Sequence, residues 1–112
     1  MYTYNLTFAV DFSRVAEFIS WASGELIPGV STAPSAAMNP KLMEVLRPEG
    51  EAGEGVDCVS FALQLSFLMR ESIEGWKEDY LLDQLTECHR RFGSSVAFFE
   101  TTLHLVYSPQ QN

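Results

Sequence analysis

The sequence predicts an α+β domain of the ferredoxin-like type, in which a four-stranded antiparallel sheet carries two helices on one face. Apolar residues recur at every second position in segments 2–10, 56–68 and 95–107, which is the periodicity of strands. They recur at helical spacing in two further segments. Together with one short additional strand, these segments follow the order β-α-β-β-α-β, which is the order of this fold.

Composition predicts one folded domain over residues 1–112. Of the 112 residues, 46% are hydrophobic and 20% are charged, and eight Phe, four Tyr and two Trp can form a core. No apolar run approaches the ~18 residues that span a bilayer. The N-terminus lacks the basic region of a secretory signal, so we expect a cytoplasmic protein.

Charge and cysteine usage narrow the range of partners and cofactors. The net charge of −8, from 15 acidic and 7 basic residues, opposes binding to nucleic acid or an anionic membrane, and we expect neither as a partner. Cys58 and Cys88 show no metal-ligand spacing and are predicted to be small buried hydrophobic residues. On a helix, Cys88 and His89 would point about 100° apart, so we expect no metal site there.

A change in the spacing of apolar residues separates the first predicted strand from the first predicted helix. Strand residues 2–10 place one apolar set on a single face: Tyr2, Tyr4, Leu6, Phe8 and Val10. Ser13 is a candidate helix N-cap, and Pro28-Gly29 is predicted to end the helix. The predicted apolar stripe consists of Val15, Phe18, Ile19, Ala22 and Leu26. Trp21 lies at its flank, where it would be partly exposed or would contact a partner.

The middle of the sequence allows alternatives. Residues 27–40 form a long connection rich in Pro, Ser and Ala, which is either a lid or partner contact or a solvated linker. Residues 41–47 are predicted to be a short strand, although their apolar positions also fit a helix. Residues 48–55, with three glycines and three glutamates, are predicted to be a solvated turn and not a calcium site.

A second helix and a last strand complete the order. The helix is predicted from Ile73 to about Phe92, with Ser72 as its cap and Gly93 at its C-terminal end. Its apolar stripe consists of Leu81, Leu85, Cys88 and Phe92. In the last strand, residues 95–107, one face is assigned to the helix-covered core: Phe99, Leu103, Leu105 and Tyr107. The other face carries Phe98, Glu100, Thr102 and His104.

Two helices cover one face of such a sheet, and the second face has an unusual composition. Its predicted residues are mostly small and neutral, whereas a solvated sheet face normally carries several Lys and Glu. This composition favours a dimer interface or a lumen between two sheets over the weakly solvated face of a monomer. The candidate ligand-binding or dimer-face residues are Asn5, Thr7, Ser60, Gln64, Glu100, Thr102 and His104.

Three short segments show a resemblance to known proteins: YTYNLTFAVD at the start, ELIPGV at the end of the first helix, and FFETTLHLV in the last strand. With the element order, they make the chain similar to the dimeric α+β barrel superfamily, and within it to a small bacterial domain family of unknown function. The resemblance implies a homodimer with a cavity between sheet and helices or between the two sheets. It implies no activity.

The superfamily also includes cofactor-independent monooxygenases and haem-degrading enzymes. The haem-degrading branch uses an Asn on the first strand, a Trp at the end of the third strand and a His on the second helix. Asn5 and His89 match two of these positions, but the third strand ends in Phe67-Leu68-Met69, and Trp76 lies near the start of the second helix. We therefore expect no cofactor.

Glu100 and His104 are predicted to lie on the same face of the last strand, and this arrangement allows two interpretations. A carboxylate and an imidazole could act as an acid-base pair, although residues four apart on one strand are ~13 Å apart and would need a second strand or chain. We favour an interfacial polar network, because such networks fix register and assembly. The sequence thus predicts a homodimeric binding or assembly module whose partner is a second copy of itself and which holds a small molecule loosely or none. A small enzyme of the superfamily is the alternative, and no catalytic residue is assigned.

Overall fold

The computed structural model describes residues 1–30, 37–46 and 58–109. Four strands form one antiparallel sheet in the order β2-β3-β1-β4. Their bounds are β1, Tyr2–Asp11; β2, Met38–Val45; β3, Cys58–Phe67; and β4, Val96–His104. The two central strands are the two with the clearest alternation in the sequence, and β2 and β4 are the edges. The predicted ferredoxin-like architecture is confirmed.

Two long helical segments connect the strands. The first, residues 12–30 (the N-terminal helix), contains a 3-10 turn at Phe12–Arg14, α1 at Val15–Trp21, a π-helical stretch at Ala22–Leu26 and α2 at Ile27–Val30. The second, residues 70–92 (the C-terminal helix), contains α3 at Arg70–Trp76, a π-helical stretch at Lys77–Leu81 and α4 at Leu82–Phe92. A 3-10 turn at Gly93–Ser95 leads into β4. No helix among the described residues is long and apolar enough to cross a membrane.

Both helices pack on the same face of the sheet around an aromatic core. Phe8 of β1 contacts Phe18 of the N-terminal helix, with ring centroids 5.0 Å apart. Tyr4 of β1 meets Trp76 of the C-terminal helix edge to face, with centroids 5.7 Å apart. Offset and edge-to-face ring contacts of this kind add to the free energy gained from burial. The even-numbered residues of β1 therefore lie on the helix-covered face.

The flank of the first helix differs from the prediction. Trp21 is buried, whereas Ile19, which the periodicity places on the apolar stripe, is exposed. The reason is the neighbouring helix, because the Trp21 ring contacts Phe92 at a centroid distance of 6.2 Å. A periodicity within one helix does not show from which side a second helix will approach.

Pro28 and Gly29 do not end the N-terminal helix, which continues to Val30. Proline removes one backbone donor and crowds the carbonyl four residues before it. The chain accommodates this by widening into the π-helical stretch that precedes α2. The Tyr80 hydroxyl then donates hydrogen bonds to the carbonyls of Leu26, at 2.5 Å, and Glu25, at 3.2 Å. These bonds join the π-helical stretches of the two helices.

Several predicted boundaries also move. β2 begins at Met38, inside the predicted connection, and is a strand and not the alternative helix. Neither predicted serine cap forms: the C-terminal helix starts at Arg70, before Ser72, and α1 has no side-chain cap. Gly93 does end α4, with a positive φ of 54° that favours glycine. The predicted turn at 48–55 lies outside the described residues.

Candidate functional site

The face of the sheet opposite the helices (the uncovered face) is defined by the strand register. Asn5 lies opposite Gln64, Thr7 opposite Ala62, and Ala9 opposite Ser60 across the β1–β3 ladder. Since side chains alternate between faces, these residues all point away from the core. The predicted site residues Asn5, Thr7, Ser60 and Gln64 therefore share the uncovered face, as the alternation indicates.

Asn5 is the centre of a small polar network on this face. Its amide nitrogen donates to the Thr7 hydroxyl at 2.9 Å, and the Gln64 amide donates to the Asn5 carbonyl oxygen at 3.1 Å. All three side chains are half-buried. The Gln64 carbonyl oxygen and the Thr7 hydroxyl proton take no part in these two hydrogen bonds. Both groups can therefore bind a neutral polar group of a ligand or a partner.

The remaining predicted residues lie elsewhere. Glu100 is opposite Leu6, Thr102 opposite Tyr4, and His104 opposite Tyr2 in the β1–β4 register. Because the even-numbered residues of β1 face the helices, these three β4 side chains do so as well, and the prediction that they share the uncovered face is wrong. The alternation in β4 changes phase at the Phe98-Phe99 pair, and the larger number of apolar residues after that pair led to the opposite assignment.

The uncovered face instead receives the alternate residues of β4, among them Phe99 and Leu103, which the sequence pattern assigns to the core. These residues are Ala97, Phe99, Thr101 and Leu103. β4 is an edge strand, and beyond its first residues the helix side is open enough for polar side chains. Phe99 is 63% exposed and Leu103 is 52% exposed. At the opposite edge of the sheet, β2 adds Met43 and Val45 to the uncovered face, together with the charged Lys41.

On the helix side, Glu100 connects the edge strand to the C-terminal helix. It accepts hydrogen bonds from the Tyr4 hydroxyl at 2.6 Å and from the Lys77 ammonium at 2.9 Å. These two donors hold the pKa of Glu100 below its ordinary value. The bond to Glu100 raises the pKa of Lys77, and burial, followed by the same carboxylate, raises the pKa of Tyr4. The arrangement keeps Glu100 ionised and attached to the core.

His104 does not form an acid-base pair with Glu100. Its ring stacks on Tyr2, with centroids 4.5 Å apart and planes 11° apart. The structure thus does not bring Glu100 and His104 together with Asn5 or Thr7 within one protomer. Thr102 lies between them on the same side of β4.

The haem-type constellation is not assembled either. Asn5 points to the uncovered face, whereas His89 belongs to the helix that covers the other face, where it lines a groove with Leu82, Leu85, Thr86 and Phe98. Trp76 is fully buried in the core. Within the described residues, no three His, Cys, Asp or Glu side chains are grouped to hold a metal ion.

A second groove runs along the outer surface of the helices. Arg91 forms ion pairs there with Glu25 at 2.8 Å and with Glu87 at 2.6 Å. Arg14 pairs with Glu17 at 2.9 Å. Trp21 and Phe92 line the same groove. Its charged residues are paired with one another, so we assign it to helix packing and not to a ligand.

Comparison with solved structures shows the fold. The chain is similar to HapK from Hahella chejuensis, with a TM-score of 0.68 and 11% identity over 100% of this chain and 99% of that chain. It is similar to a dimeric ferredoxin-like protein from an uncultured marine organism, with a TM-score of 0.54 and 12% identity over 96% of each chain. A de novo designed protein, Foldit4, gives a TM-score of 0.57 and 9% identity over 94% of this chain and 98% of that chain.

No curated protein sequence matches the chain. A family model described as a domain of unknown function, DUF4286, matches residues 1–106, which is nearly the whole sequence. The chain therefore belongs to the DUF4286 family.

Proposed function

We propose that this chain is a homodimeric assembly module in which the uncovered face is the contact between two copies. The observation that carries this proposal is the exposure of large apolar side chains on both edge strands of that face. Phe99 and Leu103 of β4 and Met43 and Val45 of β2 are all exposed. Exposed apolar patches of this kind, depleted in charge, are typical of interfaces.

The centre of the face supports the same proposal. Asn5, Thr7 and Gln64 are polar but uncharged and already bond to one another. Covering them would therefore bury no unpaired charge, which is the costly event in forming an interface. Lys41 lies on an edge strand, where its ammonium can stay in water at the rim. Polar networks inside an interface also fix its register.

The structural comparison adds support of a coarser kind. A neighbour described as a dimeric ferredoxin-like protein shares this architecture at 12% identity. Both cysteines are free, which agrees with the reducing cytoplasm that we propose as the compartment. A small molecule, if the dimer binds one, would meet the free hydrogen-bonding groups of Asn5, Thr7 and Gln64 between the two faces. The separation of Asn5 from His89 gives no support to the haem-degrading alternative.

Native mass spectrometry of gently purified protein, with haem added to a second sample, tests this function. We expect the mass of a bare dimer that does not take up haem. A dimer that retains a stoichiometric small molecule would replace the assembly role by a binding role. A monomer at every concentration would contradict the proposal.

A further inference from the structure

The two edges of the sheet differ in how they are protected against pairing. β2 has Pro40, a shift of register between Met38 and Lys41, and Asn39 in the left-handed region with φ of 53°. Proline, irregular register and lysine are the features that prevent an edge from accepting another strand. β4 pairs with β1 in unbroken register over its full length and has no proline or lysine. Its outer edge meets no strand among the described residues.

One hydrogen bond shows which residues of β4 direct their backbone N–H and C=O groups toward β1. The Leu105 amide donates to the Met1 carbonyl at 3.0 Å, so odd-numbered residues of β4 point their backbone groups at β1. The even-numbered residues therefore direct theirs to the outer edge. These residues are Val96, Phe98, Glu100, Thr102 and His104.

The chain continues past the end of its own sheet. Among the described residues, the bond from Leu105 to Met1 is the last backbone bond of the β1–β4 ladder, and Val106 and Tyr107 lie beyond the β4 strand. Val106 is 89% exposed and Tyr107 is 80% exposed. An apolar run that extends an unprotected edge strand is a surface suited to strand addition.

We propose that β4 and its continuation to Tyr107 pair antiparallel with the same segment of a second copy, about a two-fold axis at Thr102. The inference rests on the proposed function because both need a second copy of this chain. In this register Glu100 lies opposite the partner's His104, so that an imidazole faces a carboxylate. The other opposed pairs are Ala97 with Tyr107, Phe98 with Val106, Phe99 with Leu105, Thr101 with Leu103, and Thr102 with its own copy.

The two neighbouring registers whose axes lie before Thr102 are less complementary. An axis at Glu100 would place two carboxylates directly opposite each other, which is destabilising. An axis at Thr101 would place Val106 opposite Val96, which the partner's own fold already buries, and Tyr107 opposite Ser95. The register about Thr102 covers both exposed residues with apolar partners and adds a threonine pair, which is a favourable cross-strand combination.

Pairing at this edge is compatible with contact between the uncovered faces. Strands in a sheet twist, and two sheets joined along one edge can fold toward each other to bring their faces together. Phe99 and Leu103 would then lie at the closed edge of the dimer, next to the paired β4 strands. β4 pairing thus gives the proposed homodimer one hydrogen-bonded edge.

Disulfide trapping tests the register. In a Cys58→Ser, Cys88→Ala background, Thr102→Cys places two thiols at a Cα separation of about 5.5 Å, within disulfide range. Thr101→Cys is the matched control, since its two copies would be offset by two residues and beyond ~7 Å. We expect oxidised glutathione to convert the Thr102→Cys protein to a covalent dimer at least 10-fold faster than the Thr101→Cys protein. Equal rates, or a faster Thr101→Cys reaction, would overturn the proposal.

The substitution Val106→Asp provides a second test. Because Val106 is 89% exposed, Asp there should leave the protomer fold intact while placing a charge opposite the partner's Phe98. We expect the dimer dissociation constant to rise at least 10-fold, with Ile19→Asp, at an exposed apolar position of the N-terminal helix, as the control. A native dimer that dissociates with Phe99→Glu but shows neither trapping nor a Val106→Asp effect would overturn β4 pairing and leave the proposed function intact. A wild-type protein that is monomeric would contradict both the β4 pairing and the proposed function.

Discussion

Phe99 lies directly opposite Thr7 in the register between β4 and β1, so its ring stands on the face of the sheet that has no helix. The ring is 63% exposed in the protomer. An exposed aromatic residue beside a network of uncharged polar groups is characteristic of an interface and not of a solvated sheet face. This position of Phe99 is the basis of the proposed homodimer.

The pairing of Glu100 with Tyr4 and Lys77 predicts a pH dependence of stability. Because the folded pKa of Glu100 lies below its ordinary value of 4.5, its contribution is fully present above pH 4.5 and is lost as the pH falls through the lowered value. Glu100→Gln should therefore reduce the free energy of unfolding at pH 7, by no more than about 1 kcal/mol for a half-exposed carboxylate. The reduction should shrink at pH 3. Urea unfolding at both pH values measures it.

The exposed Glu78→Gln is the control for this experiment. It lies in the same π-helical stretch as Lys77 but makes no bond to β4 in the structure. A Glu100→Gln effect that stays constant between pH 7 and pH 3 would show that the carboxylate charge does not stabilise the fold.

Two glycines in the helices should respond oppositely to alanine. At Gly29 a new Cβ would overlap the hydroxyl and ring of Tyr80, so Gly29→Ala should lower the free energy of unfolding by about 1–3 kcal/mol. At Gly75 in α3 a new Cβ would meet no atom within 4 Å, and Gly75→Ala should raise the free energy of unfolding by about 1 kcal/mol. Urea unfolding followed by tryptophan fluorescence compares them. The same sign for both changes would contradict the close approach of Tyr80 to Gly29.

The hydroxyl of Tyr80 makes its own contribution. Tyr80→Phe removes the donor to the carbonyls of Leu26 and Glu25 and leaves the ring in place. We expect a loss of about 1 kcal/mol in the free energy of unfolding, because the Leu26 carbonyl is part-buried. An unchanged unfolding midpoint would indicate that water replaces the hydroxyl without cost.

The two cysteines should react at different rates. Burial raises the pKa of Cys88 to about 11, so little of the reactive thiolate forms at pH 8. Cys58 is only half-buried. Iodoacetamide should therefore label Cys58 first, and Cys88 only after urea unfolds the chain, as peptide mass spectrometry can show. Labelling of Cys88 at the rate of Cys58 in the native protein would contradict the packing of α4.

Most of the fold could be predicted because β1 and β3 alternate cleanly and each helix has an apolar stripe. The faces of β4 could not be assigned from its pattern. Phe98 and Phe99 are adjacent, and an edge strand is covered by a helix only near Val96, so burial does not follow hydrophobicity. Pro28 did not end its helix because a π-helical stretch absorbs the missing bond. For β4, a neighbouring helix decides which residues are buried, and the sequence of the strand does not contain that helix.

Only the part of the candidate site that lies on the central strands could be predicted from the sequence. Asn5, Thr7, Ser60 and Gln64 lie on central strands whose alternation is unambiguous, and the structure places them together. Glu100, Thr102 and His104 lie on β4 and face the helix side. The phase change after Phe98 was the available signal, because an aromatic pair in a strand puts one ring on each face.

Sedimentation equilibrium of the wild type, Phe99→Glu and Phe12→Glu tests the central claim most directly. Phe12 is 72% exposed in the 3-10 turn that follows β1, outside the sheet, so Phe12→Glu controls for the replacement of an exposed ring by a charge. We predict a wild-type dimer, an unchanged Phe12→Glu dimer, and a dissociation constant about 100-fold higher for Phe99→Glu, since each change occurs twice in a symmetric dimer. A monomeric wild type, or a Phe99→Glu protein as dimeric as the Phe12→Glu protein, would contradict the account.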